Sequence, residues 1–428
     1  MWTLRKEVAA LSRADCLTGL KRIIPPSRIK RVLRNSRKDQ AVCSRLSPST
    51  VVRFVLGLGL FCRDCYRQVF RWTHRHGPVP GRSTLCEARQ RVGVKPLVDL
   101  ARQTVRLLAE PASTPGAFYR GMRLVALDGF VVDIPDSADN ARVFGRPQGG
   151  RTAGAFPQVR LVALCELGTH VLFRWLIKPI TTDERPMAQR LIRELSPDML
   201  LIWDRNFLSF QRVRQVVIGQ GANLLARIKK NLVFQPIRTL GDGSYLARIY
   251  PTAWQRRDDR HGLVVRIIDY TFNDPARPGH GHKHRLLTTL LDEALDPALT
   301  LIQLYHQRWE EESTIDEFKT HEMERPVLRS QTPAGVVQEL NGLLLAHFVL
   351  RTLMHEAAQR QGITPLRLSF TGTLKIVRCR IGQCPDSPRG KKRWWDQLIA
   401  EIGQEKLEPR RNRTNPRVIK KKAHPTNA

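Results

Sequence analysis

The sequence has few acidic residues for its size. Its 428 residues include 39 Asp and Glu against 71 Lys and Arg, which gives a formal net charge of +32. Such an excess of positive charge would repel itself in a compact fold unless a polyanion neutralised it. The composition therefore favours a nucleic-acid-binding protein, and nucleic acid is the first partner we expect.

The sequence also lacks a long uninterrupted hydrophobic run. Its longest apolar stretch, FVLGLGLFC at 54–62, is too short to cross a membrane and lies between Arg53 and Arg63. Residues 1–16 lack the apolar core and cleavage site of a signal peptide. The 8 cysteines are irregularly spaced and do not suggest a disulfide framework. We therefore expect a protein of the reducing cytoplasm without a membrane partner.

Changes in composition along the chain predict five segments. Residues 1–115 are basic and predicted to be helical, as an N-terminal DNA-binding domain. Apolar runs and helical spacings over 116–229 predict a mixed sheet covered by helices. A β-rich insertion at 230–292 and a charged helix within 293–330 follow. Residues 331–428 are predicted to be helical and to end in a basic tail that contacts phosphate.

One helix of the N-terminal segment is a candidate for contact with DNA. The stretch PGRSTLCEARQRVG at 80–93 has helical spacing, and Gly93 is expected to end the helix. Arg89, Arg91 and Lys95 lie along this helix and its exit. We expect these three cations to face the DNA.

Two aspartates each end an apolar strand segment. Asp128 ends RLVALD and Asp204 ends MLLIWD. An aspartate that only caps the turn after a strand is common, and for either residue alone that is the simpler interpretation. Both residues, however, belong to one predicted sheet, and open α/β sheets place functional groups at the carboxyl ends of their strands.

The stretch YHQRWEEESTIDEFK at 305–319 supplies the remaining chemical groups. In an α-helix with about 100° per residue, its Tyr305, Arg308, Glu312 and Lys319 share one face. A solvated face of salt bridges is the alternative interpretation of so many charges. With both aspartates, Glu312 would instead make a three-carboxylate site for Mg²⁺ or Mn²⁺. The guanidinium, the ammonium and the phenol would then bind neighbouring DNA phosphates.

These residues resemble a known family. The spacing Tyr305-x2-Arg308-x3-Glu312-x6-Lys319 matches the signature of bacterial insertion-sequence 4 family transposases. The segment LDGFVVDIPDSADNARVFG is similar to the residues around that family's first catalytic aspartate, and WDRNFLS to those around its second. The segments HRLLTTLL and PRVIKKK look like the family as well. The resemblance covers most of residues 83–422.

The resemblance implies an RNase H-like catalytic core, with the β-rich insertion between the second aspartate and the glutamate. Asp128, Asp204 and Glu312 would then be the catalytic residues and the ligands of two Mg²⁺ or Mn²⁺ ions. The expected activity is cut-and-paste transposition by two-metal phosphoryl transfer, with 3′-end nicking, a hairpin intermediate and strand transfer. The expected partners are the terminal inverted repeats of the element, the target DNA and a second copy of the chain, at the bacterial nucleoid.

The sequence departs from the family pattern at two places. Asn206 stands where a glycine or alanine usually follows the second aspartate. A known relative has a base-stacking tryptophan on the strand before the signature helix, where this chain has His284; Trp254 is the nearest tryptophan on the insertion. His284 and Trp254 are therefore candidates for base stacking. A nuclease of the same fold and a decayed transposase acting as a DNA-binding repressor remain as alternative functions.

Overall fold

A computed structural model describes residues 16–39, 46–74, 78–148, 154–229, 232–271 and 281–408. The basic tail expected at the end of the chain lies outside these residues.

The N-terminal segment is helical, as the sequence predicts. After a 3₁₀ turn at Cys16–Arg22, it contains five helices: α1 (Pro26–Asn35), α2 (Pro48–Leu60), α3 (Tyr66–Thr73), α4 (Arg82–Val92) and α5 (Lys95–Thr104). α2 begins where the Ser47 side chain accepts a hydrogen bond from the Thr50 N–H, and its side chains are almost all buried. α4 ends at Gly93, whose φ of 73° suits a glycine.

The segment that follows forms a mixed sheet. Its strands are β1 (Phe118–Tyr119), β2 (Met122–Asp133), β3 (Gln158–Glu166), β4 (Val171–Pro179), β5 (Met199–Trp203) and β6 (Asn223–Arg227). The antiparallel strands β2, β3 and β4 form a meander, and β5 and β6 extend it in parallel with β2, which gives the order β4-β3-β2-β5-β6. The expected RNase H-like mixed sheet is confirmed.

Three short helices connect these strands: α6 (Ala138–Phe144), α7 (Glu184–Leu191) and α8 (Phe210–Arg214). α7 starts at Asp183, whose side chain accepts a hydrogen bond from the Arg185 N–H. The sequence contains a Thr-x-x-Glu capping pattern two residues earlier, at Thr181. Because Asp183 caps the helix, the carboxylate of Glu184 remains available for another partner.

The β-rich insertion continues the same sheet. It consists of β7 (Pro236–Thr239), β8 (Tyr245–Ile249), the short helix α9 (Ala253–Arg257), β9 (Leu263–Thr271) and β10 (Lys283–Thr288). β10 pairs antiparallel with β6, and β9, β8 and β7 follow outward in that order. The insertion therefore extends the core sheet at the edge formed by β6.

The charged stretch at 305–319 is not one continuous α-helix. It is divided between α10 (Ala298–His306), α11 (Trp309–Asp316) and a π-helical turn at Glu317–Glu322. The break arises because the N–H groups of Gln307 and Arg308 bond to carbonyls three residues back, as in a 3₁₀ turn. The sequence pattern shows the spacing of side chains and not the local tightening of the backbone.

The C-terminal region is built on one long buried helix. It contains α12 (Pro333–Gln361), α13 (Phe370–Arg380) and α14 (Pro388–Gln404). α12 crosses α2 where Gly59 and Gly342 let the two backbones approach closely. By length and composition alone α12 could span a membrane. However, 78% of its apolar 18-residue stretch is buried inside the protein, as in the core helix of a globular domain.

The expectation that Arg89 faces DNA is wrong. Its side chain is only 4% exposed and donates to Gln338, Ser330 and the Gly335 carbonyl at the start of α12. It also donates to the Tyr66 hydroxyl. The helical pattern of α4 does not reveal this partner, because α12 lies more than 240 residues away in sequence. Arg89 fixes the N-terminal helices to the C-terminal region.

We expect Arg89→Ala to lower the free energy of unfolding by about 2–4 kcal/mol, since it leaves several buried polar groups without a partner. Arg91→Ala is the matched control. Arg91 is exposed and lies 3.9 Å from Glu87, so its loss should change stability by less than about 0.5 kcal/mol. Urea denaturation of both variants measures the difference. Equal stabilities would mean that the Arg89 contacts contribute little.

Candidate active site

Asp128 and Asp204 lie side by side at the centre of the sheet. β2 and β5 run parallel, and the last residues that they pair are Leu127 and Trp203. The next residue on each strand is one of the two aspartates, and neighbouring strands lie about 4.8 Å apart. β5 ends here, whereas β2 continues to Asp133 along β3. The structure therefore brings the two residues together as the strand pattern predicts.

Each aspartate accepts a hydrogen bond from the backbone amide that follows it. The Gly129 N–H donates to Asp128 Oδ1 at 2.7 Å, and the Arg205 N–H donates to Asp204 Oδ1 at 2.6 Å. Asp204 caps a 3₁₀ turn at Arg205–Phe207. The capping interpretation is thus correct for Asp204, and it fixes one carboxylate oxygen without excluding a role for the other.

α11 brings further charged groups to the aspartates. Glu312 accepts a hydrogen bond from Arg308 Nη2 at 2.8 Å, and both side chains are largely buried. Glu311 is fully buried, and burial raises its pKa well above the ordinary value. The negative charges of Asp128 and Glu312 raise that pKa further, while Arg308 opposes them. Glu311 is a carboxylate of the cluster that the signature spacing does not include.

The electrostatics of Asp128 reflect this crowding. The pKa of Asp128 is raised from 3.8 to about 6, and burial is the largest cause. The Gly129 N–H and the positive charge of Arg308 lower the pKa, whereas the charges of Glu184 and Asp204 raise it. The protein thus holds Asp128 among like charges and balances them with one nearby guanidinium.

Glu184, at the start of α7, is a second carboxylate that the sequence pattern does not identify. Arg160 of β3 donates a hydrogen bond to it. A Cβ atom at Gly129 would lie 2.9 Å from Glu184 Cδ, so only a glycine at that position allows this approach. The sequence signal that could have indicated the site is the Asp-Gly pair at 128 and 129, since a glycine inside a strand often marks a close approach.

The other two signature residues, Tyr305 and Lys319, lie in different surroundings. Tyr305 is buried, and its phenol oxygen has no hydrogen-bond partner in the described part of the chain. Burial raises the pKa of Tyr305. The charge of Arg308 lowers this pKa and the charge of Asp204 raises it, which indicates that the phenol lies near the carboxylate cluster. Lys319 is half-buried in the π-helical turn. No hydrogen bond or ion pair between described residues joins Lys319 to the other three.

The two candidates for base stacking also differ. His284 of β10 is 9% exposed, its ring lies 5.3 Å from that of Tyr270, and its Nδ1 lies 2.9 Å from Arg227. Tyr270 in turn contacts the ring of His306, the neighbour of Tyr305. Trp254 is 61% exposed on α9. His284 is therefore joined to the cluster through aromatic contacts, and no described contact of this kind reaches Trp254.

The donor set fits a divalent cation in its chemistry. No group of three His, Cys, Asp or Glu side chains among the described residues is close enough to hold a metal as it stands. The buried carboxylates nevertheless raise one another's pKa values, and carboxylate oxygens suit Mg²⁺ or Mn²⁺. Glu312 Oε1 is bonded to Arg308, so the guanidinium offsets part of the negative charge that Glu312 would offer to a metal ion.

A sheet of this order, with adjacent strand-borne aspartates and a helix that adds carboxylates, defines the class of RNase H-like domains that process nucleic acids. Comparison with known proteins agrees. Residues 119–349 match the model of the transposase DDE domain, and residues 14–101 match that of the insertion element 4 transposase N-terminal domain. The chain belongs to the DDE transposase family, whose members are DNA-cleaving, strand-transferring enzymes that depend on divalent metal.

Two bacterial relatives are consistent with this assignment. The chain is 28% identical over 418 residues to Transposase InsG for insertion sequence element IS4 of Escherichia coli (strain K12), which covers 95% of this chain and 92% of InsG. Putative transposase InsZ of the same organism is 30% identical over 129 residues, 30% of this chain and 43% of InsZ. A solved piggyBac transposase synaptic complex with hairpin DNA overlays with a TM-score of 0.44 at 12% identity, covering 91% of this chain and 85% of that one.

Asp128→Asn should stabilise the metal-free protein at pH 8 by about 1–3 kcal/mol, because a carboxyl whose pKa is raised to about 6 in the fold is disfavoured when ionised. Wild type carries this cost fully above pH 6. The cost shrinks as the pH falls from 6 toward 3.8 and is lost below 3.8, where the carboxyl is protonated in both states. The advantage of the variant should therefore decrease between pH 6 and pH 4.

Urea denaturation in EDTA at pH 8 and pH 4.5 measures this difference. Asp139→Asn, which alters an exposed carboxylate paired with Arg142, serves as the control and should change stability by less than about 0.5 kcal/mol at either pH. A variant of Asp128 that is less stable than wild type at pH 8 would show that its charge is favourably solvated.

Proposed function

We propose that Asp128, Asp204 and Glu312 are the catalytic residues and that they hold two Mg²⁺ or Mn²⁺ ions. The observation that carries the proposal is the position of the two aspartates, next to each other on parallel strands, with α11 delivering carboxylates to the same place. The bound ions would activate the attacking oxygen and stabilise the leaving 3′ oxygen. Mn²⁺ satisfies the same oxygen ligands as Mg²⁺.

The reaction that we propose is cut-and-paste transposition. Water first cleaves the strand at the element end, which frees a 3′ hydroxyl. That hydroxyl attacks the opposite strand to form a hairpin, and after the hairpin opens it attacks target DNA. Each step exchanges one phosphodiester bond for another or hydrolyses it, so no covalent bond to the protein is needed. Tyr305 is accordingly a phosphate contact.

Tyr305, Arg308 and Lys319 are proposed to hold the phosphates beside the reacting one. The buried phenol of Tyr305 has no hydrogen-bond partner among the described residues, which suits a donor to a phosphate oxygen. Arg308 neutralises Glu312 in this structure and can turn to DNA once that carboxylate has another counter-ion. Its guanidinium can then contact two phosphate oxygens at once. Lys319 would contribute a point charge from the adjacent π-helical turn.

DNA binding by the N-terminal region is proposed to use α1. Because Arg89 is buried, α4 offers a weaker cationic face than its sequence predicts. Lys95, the first residue of α5, is paired with Asp99 at 2.7 Å. Between Arg22 and Lys38 the sequence contains no acidic residue. α1 buries Ile29, Val32 and Leu33 and exposes Lys30, Arg31 and Arg34, with Arg28 half-buried beside them. The pKa of Arg28 is lowered by burial and by the neighbouring Arg106 and Arg31, and a polyanion would relieve that repulsion.

The partners that we propose are the terminal inverted repeats of the element, the target DNA and a second copy of the chain in the synaptic complex. The net charge of +32 supports a DNA partner. A cytoplasmic, nucleoid-associated location follows from the substrate. His284, which is joined to the site through Tyr270, is the better candidate to stack on an unpaired base; Trp254 is the alternative on the insertion.

Asp128→Ala, Asp204→Ala and Glu312→Ala should each abolish cleavage of a donor DNA that carries the element ends. End binding should remain largely intact, because affinity is set by many basic groups. Supercoiled donor, Mg²⁺ and protein are incubated, and nicked, hairpin and joined products are resolved on denaturing gels. Glu324→Ala, which removes an acid paired with Arg378, is the control. Cleavage near the wild-type rate would remove the altered residue from the catalytic set.

Arg308→Ala should bind element ends and nick them but stall at hairpin formation. Hydrolysis can use any of the abundant water molecules, whereas in-line attack by a tethered 3′ hydroxyl suffers from small misplacements. Lys319→Ala should behave in the same way. Arg308→Lys should rescue poorly, since an ammonium cannot make the paired contact. The same gels measure both steps, and an equal loss of nicking and hairpin formation would contradict the positioning role.

A further inference from the structure

α11, which carries Glu312, has very little apolar anchorage. Its only fully buried side chains are Glu311 and Thr314, and Ile315 packs partly against the neighbouring core. A helix of 8 residues is unstable on its own. Beside the apolar anchor of Phe318 in the following π-helical turn, polar contacts therefore help to set the position and rotation of α11 over the sheet.

A buried histidine lies beneath this helix and contacts both of its ends. His170 is fully buried, and its Nε2 lies 2.8 Å from Glu310 Oε2. Its Nδ1 lies 3.0 Å from Glu317 Oε1, at the start of the π-helical turn. Glu310 and Glu317 bracket Glu312 in sequence. A single imidazole thus joins a residue before Glu312 to a residue after it.

A guanidinium contacts the Glu317 carboxylate from the other side. Arg351, buried in the middle of α12, donates to Glu317, and its Nη2 lies 2.6 Å from His170 Nδ1. Arg351 and His170 hold the pKa of Glu317 well below its ordinary value despite full burial. His347 of α12 also faces this carboxylate, with its Nε2 3.8 Å away. Glu317 therefore remains charged and is bound both to α12, through Arg351, and to the β3–β4 turn, through His170.

The turn that presents His170 is itself rigidly held. His170 adopts a left-handed φ of 57° in the β3–β4 hairpin, a conformation that few non-glycine residues adopt. Glu166, at the end of β3, accepts hydrogen bonds from the Leu108 and Ala109 amides at 3.0 and 3.1 Å and from Arg123 and Thr169. The hairpin is thus a fixed base for the imidazole.

We propose that His170 is a positioning residue for catalysis: by contacting Glu310 through Nε2 and Glu317 through Nδ1 it sets the rotation of α11 and so the place of the Glu312 carboxylate. This inference rests on the proposed role of Glu312. Catalytic carboxylates must be held within about 0.5 Å of their working position. A loosened α11 would let Glu312 move, while the fold and the DNA-binding surfaces stay in place.

His170→Asn tests the proposal. Asparagine tolerates the left-handed backbone of the turn, but its shorter side chain cannot reach both carboxylates. His355→Asn is the matched control. Like His170, His355 is a buried histidine, but it lies on α12 and faces Glu166 and Glu110, not the carboxylates of α11. We expect His170→Asn to slow nicking by about tenfold or more and to raise the Mn²⁺ concentration needed for half-maximal binding, which is followed by electron paramagnetic resonance of the free ion. End binding should stay within about twofold of wild type.

Hydrogen exchange of the amides in 309–316 separates this proposal from that for the active site. His170→Asn should speed exchange across α11, and His355→Asn should not. Unchanged exchange in His170→Asn, or equal effects of the two substitutions on nicking and Mn²⁺ binding, would overturn the positioning role. His170→Gln keeps the reach to one carboxylate and should give intermediate values. If wild type does not nick DNA, the proposed function fails, while exchange still decides whether His170 holds α11.

Discussion

The central constraint on this protein is the mutual repulsion of carboxylates gathered at the middle of one sheet. Asp128, Asp204, Glu311 and Glu312 are brought together by a parallel strand pair and a helix. Like charges in a partly buried site cost free energy, and Arg308 is the cation that faces them in this structure. A divalent cation bound at this place would relieve the same repulsion.

The surrounding structure depends on fixing these groups against that repulsion. Glu184 reaches the strand only because Gly129 has no side chain, and Arg160 holds it there. On the opposite side α11 lacks a broad apolar face and is held instead by polar contacts. Buried polar contacts define position more sharply than apolar packing, because each requires a particular distance and direction. This is the property that a phosphoryl-transfer site needs.

The same principle joins the N-terminal and C-terminal regions. Arg89 from α4 bonds to the start of α12, and Arg329, just before α12, donates to carbonyls at the end of α2 and beyond, including Leu58 and Asp64. With the close approach of Gly59 and Gly342, these contacts attach the N-terminal helices to α12, the helix that also carries Arg351. The N-terminal helices are thereby connected through α12 and Arg351 to Glu317, which directly follows the helix that carries Glu312.

The sequence by itself determined the sheet, the two aspartates that follow apolar runs and the family, because these follow from local patterns: apolar runs of strand length, and a fixed spacing of four polar side chains. It placed Asp128 at the end of its strand, whereas β2 continues to Asp133 along β3. It did not determine the break at Gln307 and Arg308, since backbone tightening leaves no periodic signal. It assigned Arg89 to the surface, because charge alone does not reveal a buried partner on α12. Glu184, Glu311 and His170 became visible only in three dimensions, where β2, α7, α11 and the β3–β4 turn, distant in sequence, meet at one place.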